Sequence, residues 1–203
     1  VHTGTLFAGE ITHHKDFPFQ IAFNPLLQTV FSPVLFDPDV GDTALGDFGP
    51  GEVIGGFKKL DRTQASLEAS QIFRGRMWAD LVLVSANLSW AGVHDIPSGS
   101  APPLTSDDED SWGYKVQLAA RYSGLFGGIN FRPYVVFSHD IDGTTPAPIS
   151  TFLEDRKSLT LGLSVSYINR ITADLRFTNF SGGGRANQLR DRDYLRFQVS
   201  YYL

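Results

Sequence analysis

Residues 112–123 read WGYKVQLAARYS, and their side chains alternate without a break. Trp112, Tyr114, Val116, Leu118, Ala120 and Tyr122 are apolar or aromatic, while Gly113, Lys115, Gln117, Ala119, Arg121 and Ser123 are polar or tiny. A two-residue period describes a strand with two unlike faces. Strands of globular proteins are usually about 5–6 residues long. A strand of twice that length, greasy on one side and ending there in aromatics, is the strongest constraint on how this chain folds.

The same alternation recurs at 64–73, 80–90, 129–139, 158–168, 171–179 and 194–203, with a weaker instance at 4–13. The cleanest is SLTLGLSVSYI, which sets Leu159, Leu161, Leu163, Val165 and Tyr167 against Ser158, Thr160, Gly162, Ser164 and Ser166. No helical period of comparable length is present. Short links at about 74–78, 124–128 and 169–170 take turns with long ones at 14–62, 91–111, 140–156 and 180–192. Antiparallel up-and-down order then gathers the short links at one end and the long ones at the other, as in outer-membrane barrels with short periplasmic turns and long external loops.

Strands crossing a bilayer need roughly 9–11 tilted residues, and a sheet in lipid must close so that its backbone groups are paired. The fold expected is therefore all-β, an antiparallel up-and-down transmembrane β-barrel with about eight strands here, located in the bacterial outer membrane. An aromatic girdle is expected from Trp90 and Trp112 at the external strand ends, and from Trp78, Tyr122 and Tyr167 at the periplasmic ends. A soluble barrel or sandwich, with its apolar face turned inward, shows the same alternation strand by strand. Strand length, loop rhythm and aromatics at strand ends favour the membrane arrangement.

Composition narrows the function. The formal net charge is −5, so no extended basic surface for nucleic acid is expected. The chain has no cysteine and therefore neither disulfides nor thiolate metal sites. No run of 18 apolar residues and no signal peptide opens or interrupts it, so a leader is expected to have been removed or the chain to begin within a longer gene product. Neither a Gly-x-Ser-x-Gly elbow nor a His-Glu-x-x-His pair occurs, so no enzyme, metal or cofactor is expected. The acidic loops DPDVGD and SDDEDS lack the spacing of a defined calcium loop and read as solvated external loops.

On the membrane reading the inward side chains are Glu68, Lys115, Gln117, Arg121, Asn130, Arg132, Asp174, Arg176, Arg196 and Gln198. Arginine is in excess. In a narrow barrel these groups pair and fill the lumen; in a wide one they line a path that favours anionic solutes. Residues 14–62 are longer than an ordinary loop and rich in apolar side chains such as Phe17, Phe19, Ile21 and Phe23. They read as an inserted lid or plug, or as one further hairpin.

The last third of the chain carries a recognisable combination of motifs. These are S-H-D-x-D-G at Ser138–Gly143 before a Pro-rich loop, F-x-E-x-R-K at Phe152–Lys157, T-N-F-x-G-G at Thr178–Gly183, and D-R-D-Y at Asp191–Tyr194. Together with the W-G-Y stretch they resemble the C-terminal portion of a Gram-negative outer-membrane barrel family described only as a domain of unknown function, DUF1302. The resemblance covers about residues 110–203 well and the earlier part loosely. It implies a fragment of a larger barrel and a role in envelope transport, here passage of small hydrophobic or amphipathic compounds. The implied partners are outer-membrane lipid, lipopolysaccharide, the N-terminal strands of the same barrel and periplasmic transport proteins. A structural barrel with a plugged lumen and a soluble ligand-binding barrel remain the alternatives. Leu203 departs from the terminal Phe usual in such strands.

Overall fold

A computed structural model describes residues 4–35, 45–46, 48–49, 51–96, 104–168 and 170–202, with side chains 32–35 left undescribed. Eight strands follow one another: β1 Gly4–Gln20, β2 Phe57–Arg76, β3 Ala79–Val93, β4 Asp110–Leu125, β5 Ile129–Asp142, β6 Lys157–Tyr167, β7 Ile171–Ser181 and β8 Tyr194–Tyr201. Each pairs antiparallel with the next, in the order β1-β2-β3-β4-β5-β6-β7-β8. All eight alternating stretches are strands of this one sheet. The sheet is open: β1 and β8 are its edges and do not pair with each other. The closed barrel expected from the sequence is therefore not formed by these strands alone.

The links alternate as read. Met77 and Trp78 form a two-residue turn with φ of 54° and 55°, closed by the pair Arg76 and Ala79. Both residues at positive φ is the type I′ geometry, whose twist matches the flanking strands. The long links all lie at the other end of the sheet.

The register puts the two sequence faces on opposite sides. On one side Leu67, Leu88 and Tyr114 stand opposite one another, as do Leu118, Val135, Leu161, Phe177 and Leu195 along a second row. Among the described residues nothing covers this side: Leu118 is 41%, Leu161 45% and Phe197 68% exposed. The other side carries rows such as Glu68, Asn87, Lys115, Ser138 and Ser158. A single cavity touched by strands β3 to β7 opens on this polar side, so the sheet curves around it.

The packed core is not in the middle of the sheet. Phe19, Leu60, Val93 and Leu104 bury together at the long-loop end, with Phe17, Ile96 and Ile149 against them. Register places Phe17 beside Leu60, and Arg62 beside Val93, on the polar side of the sheet. The guanidinium of Arg62 lies 4.2 Å over the Phe17 ring. The long loops thus fold across the concave mouth. Leu104 sits in one of them, bridging to Ile21, while Pro146 and Phe152 of the β5–β6 loop are buried.

The 14–62 segment has other bounds than expected. β1 continues to Gln20 through a bulge between His14 and Phe17, where Asp16 takes a φ of 52°. β2 begins at Phe57, and between them runs α1, Phe23–Leu35. The bulge shifts side-chain parity by one, so even residues face the concave side before it and Phe17 and Phe19 after it. The motif DPDVGD lies outside the described residues.

Candidate functional site

Two adjoining cavities lie on the concave side across β3 to β7. The larger has a volume of about 570 Å³ and is lined on β4 by Lys115, Gln117 and Arg121 and on β5 by Arg132, Tyr134 and Val136. Arg176 closes one wall, and Leu81 and Leu83 supply apolar surface from β3. The smaller, about 310 Å³, shares Arg121 and Arg132 and adds Asn130, Ser164 and Ser166. Six of the ten inward candidates are thus brought together. Glu68 stands on the same face outside both cavities, where it accepts a hydrogen bond from Ser70 at 3.1 Å. Arg196 and Gln198 lie on edge strand β8, bonded to each other at 2.7 Å.

Tyr134 organises this surface. Register places Tyr134, Gly162, Arg176 and Arg196 in one row on β5 to β8. The ring lies over Gly162, where an added Cβ would stand 2.0 Å from its Cζ. It therefore reaches past β6 to β7: Arg176 Nε donates to the Tyr134 hydroxyl at 2.9 Å, and that hydroxyl donates to Asp174 at 3.4 Å. Asp174 also pairs with Arg176 at 3.6 Å. An aromatic ring lying over a glycine protects the backbone that the glycine leaves bare. A glycine on a polar strand face is the sequence signal for such a close approach, and Gly162 within SLTLGLSVSYI carries it.

The other cations are not paired in this way. Among the described residues no carboxylate oxygen lies within 4 Å of Lys115, Arg121 or Arg132. Arg121 and Arg132 share one level of the sheet, between the pairs Ala119–Tyr134 and Tyr122–Phe131. Arg176 and Arg196 are directly opposed across β7 and β8. Like charges across a ladder destabilise it.

Asn130 has a local duty. Its Oδ1 accepts from the Gly124 amide at 3.0 Å, at the bulge that ends β4, and its Nδ2 donates to Ser166 at 3.4 Å. At the strand ends, Trp90 and Trp112 stand opposite each other on the apolar side, and Trp90 donates to Asp110 at 2.9 Å. Trp78 is fully exposed at its turn, and Tyr122 and Tyr167 lie on the apolar side at the short-turn end.

The motifs of the last third bind the long loops to one another. Asp140 of S-H-D-x-D-G accepts from Arg156 Nε at 2.7 Å and from the Leu153 amide at 3.1 Å. Arg156 belongs to F-x-E-x-R-K and also donates to the Thr151 carbonyl. Asp193 of D-R-D-Y accepts from the Phe180 amide and from Asn179 within T-N-F-x-G-G, at 2.9 and 2.7 Å. These hydrogen bonds hold the Asp193 carboxyl below its ordinary pKa, the Phe180 amide contributing most. Gly182 has a φ of 70°, and a Cβ there would stand 1.8 Å from the Asp155 carbonyl oxygen. Asp155 is likewise held low, chiefly by its hydrogen bond from Lys157. The acidic SDDEDS stretch serves the same end, since Asp108 accepts from the Thr144 amide at 2.7 Å.

Histidines 13 and 94 both bond to the Thr63 hydroxyl, at 3.0 and 2.8 Å. Among the described residues no group of three or more His, Asp or Glu side chains is placed to hold a metal, and no helix is long and apolar enough to cross a membrane. The family model described as "Protein of unknown function (DUF1302)" matches residues 1–203, a wider span than the motifs alone covered. No curated protein and no solved structure matches the chain.

Proposed function

The chain belongs to the DUF1302 family, a family of unknown function, and on that premise we propose that it forms part of the wall of an outer-membrane β-barrel that passes small hydrophobic or amphipathic compounds. The observation that carries this reading is the uncovered apolar side. Fully burying a Leu or Phe side chain is worth about 1.5–3 kcal/mol, and row upon row of such side chains stand exposed here while the polar side is the concave one. A soluble carrier has the reverse arrangement. Lipid tails supply the missing burial, and the girdle residues Trp78, Trp90, Trp112, Tyr122 and Tyr167 suit the two interfaces.

In lipid the free edges of β1 and β8 must find partners. Further strands of the same barrel provide them and leave the curved polar side facing a lumen. The loops across the mouth then act as a constriction rather than as solvated tails. Their packing also favours a second reading, a structural barrel whose mouth is closed.

The test has two stages. The protein should fractionate with the outer membrane and need detergent to remain monodisperse; monodispersity without detergent would overturn the membrane reading. In planar bilayers it should conduct, or in liposomes admit small solutes. A folded, inserted protein that does neither is the closed structural barrel.

A further inference from the structure

We infer that the concave cavity is a binding site for an amphipathic carboxylate, whose anionic head is held by Arg121 and Arg132 and whose apolar body lies along Leu81, Leu83 and Val136. The inference rests on the transport reading and names its solute class.

Three features of the site converge on that chemistry. The first is charge without compensation. Lys115, Arg121, Arg132 and Arg176 line the cavity, and among the described residues no carboxylate lines it. Asp174, the acid nearest in the register, is engaged with Arg176 and Tyr134. Arg121 and Arg132 stand at one level with no partner among the described residues. Setting two guanidinium groups side by side costs stability unless an anion sits between them, and a planar carboxylate matches the fork of an arginine.

The second is the apolar strip beside these cations. Leu81 and Leu83 come from β3, Leu81 directly opposite Arg121, and Val136 comes from β5, the strand of Arg132. A site for a small inorganic anion has no use for them. The volume, about 570 Å³, falls in the range of small-molecule sites.

The third is the vertical order of the charges. Lys115 and Arg121 are six residues apart on β4, which at about 3.4 Å per residue separates them by roughly 20 Å along the strand. Lys115 lies toward the long-loop end and Arg121 toward the short-turn end. The free cations therefore stand at two levels of the wall, Arg121 with Arg132 at one and Lys115 at the other.

Tyr134 keeps one cation out of the site. By taking the Arg176 Nε hydrogen bond it fixes that guanidinium against β7. Arg121 and Arg132 are left as the free pair.

The experiment is isothermal titration of the purified protein in non-ionic detergent, at fixed ionic strength, with sodium octanoate, sodium acetate and 1-octanol as probes. Octanoate should bind saturably, and acetate and octanol each about tenfold more weakly or not at all. An Arg121→Gln/Arg132→Gln variant should weaken octanoate about tenfold or more, and Arg121→Lys/Arg132→Lys should fall between it and the unchanged protein, because the charge stays and the planar fork is lost. Lys157→Gln, at the opposite face, should leave it unchanged. Absence of octanoate binding, retention of binding by the glutamine variant, or equal binding of octanol or acetate each overturns the inference. Bilayer conductance is recorded in parallel. A conducting protein that ignores octanoate sinks this inference and leaves the channel standing, whereas a binding protein that does not conduct sinks the channel alone.

Discussion

Arg176 and Tyr134 meet across a strand to which neither belongs: the guanidinium on β7 donates to the hydroxyl on β5 at 2.9 Å, over Gly162 of β6. The contact exists because Gly162 has no side chain. A methyl group there would stand 2.0 Å from the ring. Gly162→Ala should therefore displace Tyr134, release Arg176 and cost about 1–3 kcal/mol of stability, as overpacking does. Urea unfolding in lipid vesicles measures this. A Gly162→Ala/Tyr134→Ala double variant should be destabilised by less than the sum of the single changes, because the clash is gone. Strict additivity contradicts the account.

The two sides of β6 should differ sharply in their tolerance of charge. Leu161 faces the apolar side, whereas Thr160 lines the cavity. Leu161→Arg should cost about 2–4 kcal/mol if it falls near the bilayer midplane, while Thr160→Arg, which adds a cation to a cavity already lined by cations, should cost less, about 0.2–1 kcal/mol. Folding into lipid vesicles, followed by the heat-sensitive mobility of the folded form on gels, compares the two. Equal penalties would show that the apolar side does not face lipid.

The arginine pairs should cost stability where they stand. Removing one charge, as in Arg132→Gln, is expected to raise the unfolding free energy in the absence of ligand by roughly 0.2–1 kcal/mol. The same substitution weakens octanoate binding. A gain in stability coupled to a loss of affinity separates a functional pair from a merely tolerated one.

Asp140 and Arg156 are the main clasp on the β5–β6 loop, with bonds of 2.7 Å to a carboxylate that is only 13% exposed. Arg156→Met should loosen residues 143–156 and with them the cap over the mouth, at a cost of about 1.5–3 kcal/mol for hydrogen bonds to a charged group. Hydrogen exchange should show lost protection in that loop while β3 and β4 keep theirs. Bilayer conductance should rise if the loop narrows the entrance.

Asp193 gives the β7–β8 connection a pH limit. Its folded pKa lies below its unfolded value because the Phe180 amide and the Asn179 side chain bond to the carboxylate. The stabilisation is therefore present above the ordinary aspartate range, near 3.9, and is lost as the pH falls through the lower folded value. Cleavage of the 182–193 loop by an acid-active protease should accelerate below about pH 4 in the native protein. In Asp193→Asn, which cannot ionise, that pH dependence should be flattened.

What the sequence determined by itself is the local part. Side-chain parity follows from the two-residue repeat of an extended backbone, so the eight strands, their two faces and the alternating link lengths were legible in the pattern. Parity fails wherever the backbone inserts a residue. The bulge at Asp16 reverses it, so the sequence pattern of β1 runs only to His13 and Phe17 and Phe19 fall out of phase with it. The charged start of β2, Phe57–Asp61, hid that strand's first turn of pairing in the same way. α1 escapes because its sequence, FNPLLQTVFSPVL, carries no charge and two prolines, so that the short polar stripe of Asn24, Gln28 and Ser32 marks its helical period only weakly.

Tertiary structure decided the rest, because it depends on groups far apart in the chain. Curvature brings Arg121, Arg132 and Arg176 around one cavity, and register sets Arg121 beside Arg132. Tyr134 reaches Arg176 because β6 happens to present a glycine between them. Asp140 and Arg156, at the two ends of the β5–β6 connection, become a clasp once β5 and β6 pair. Whether eight strands close on themselves is likewise a property of the whole sheet's curvature, and no pattern of alternation within a strand encodes it.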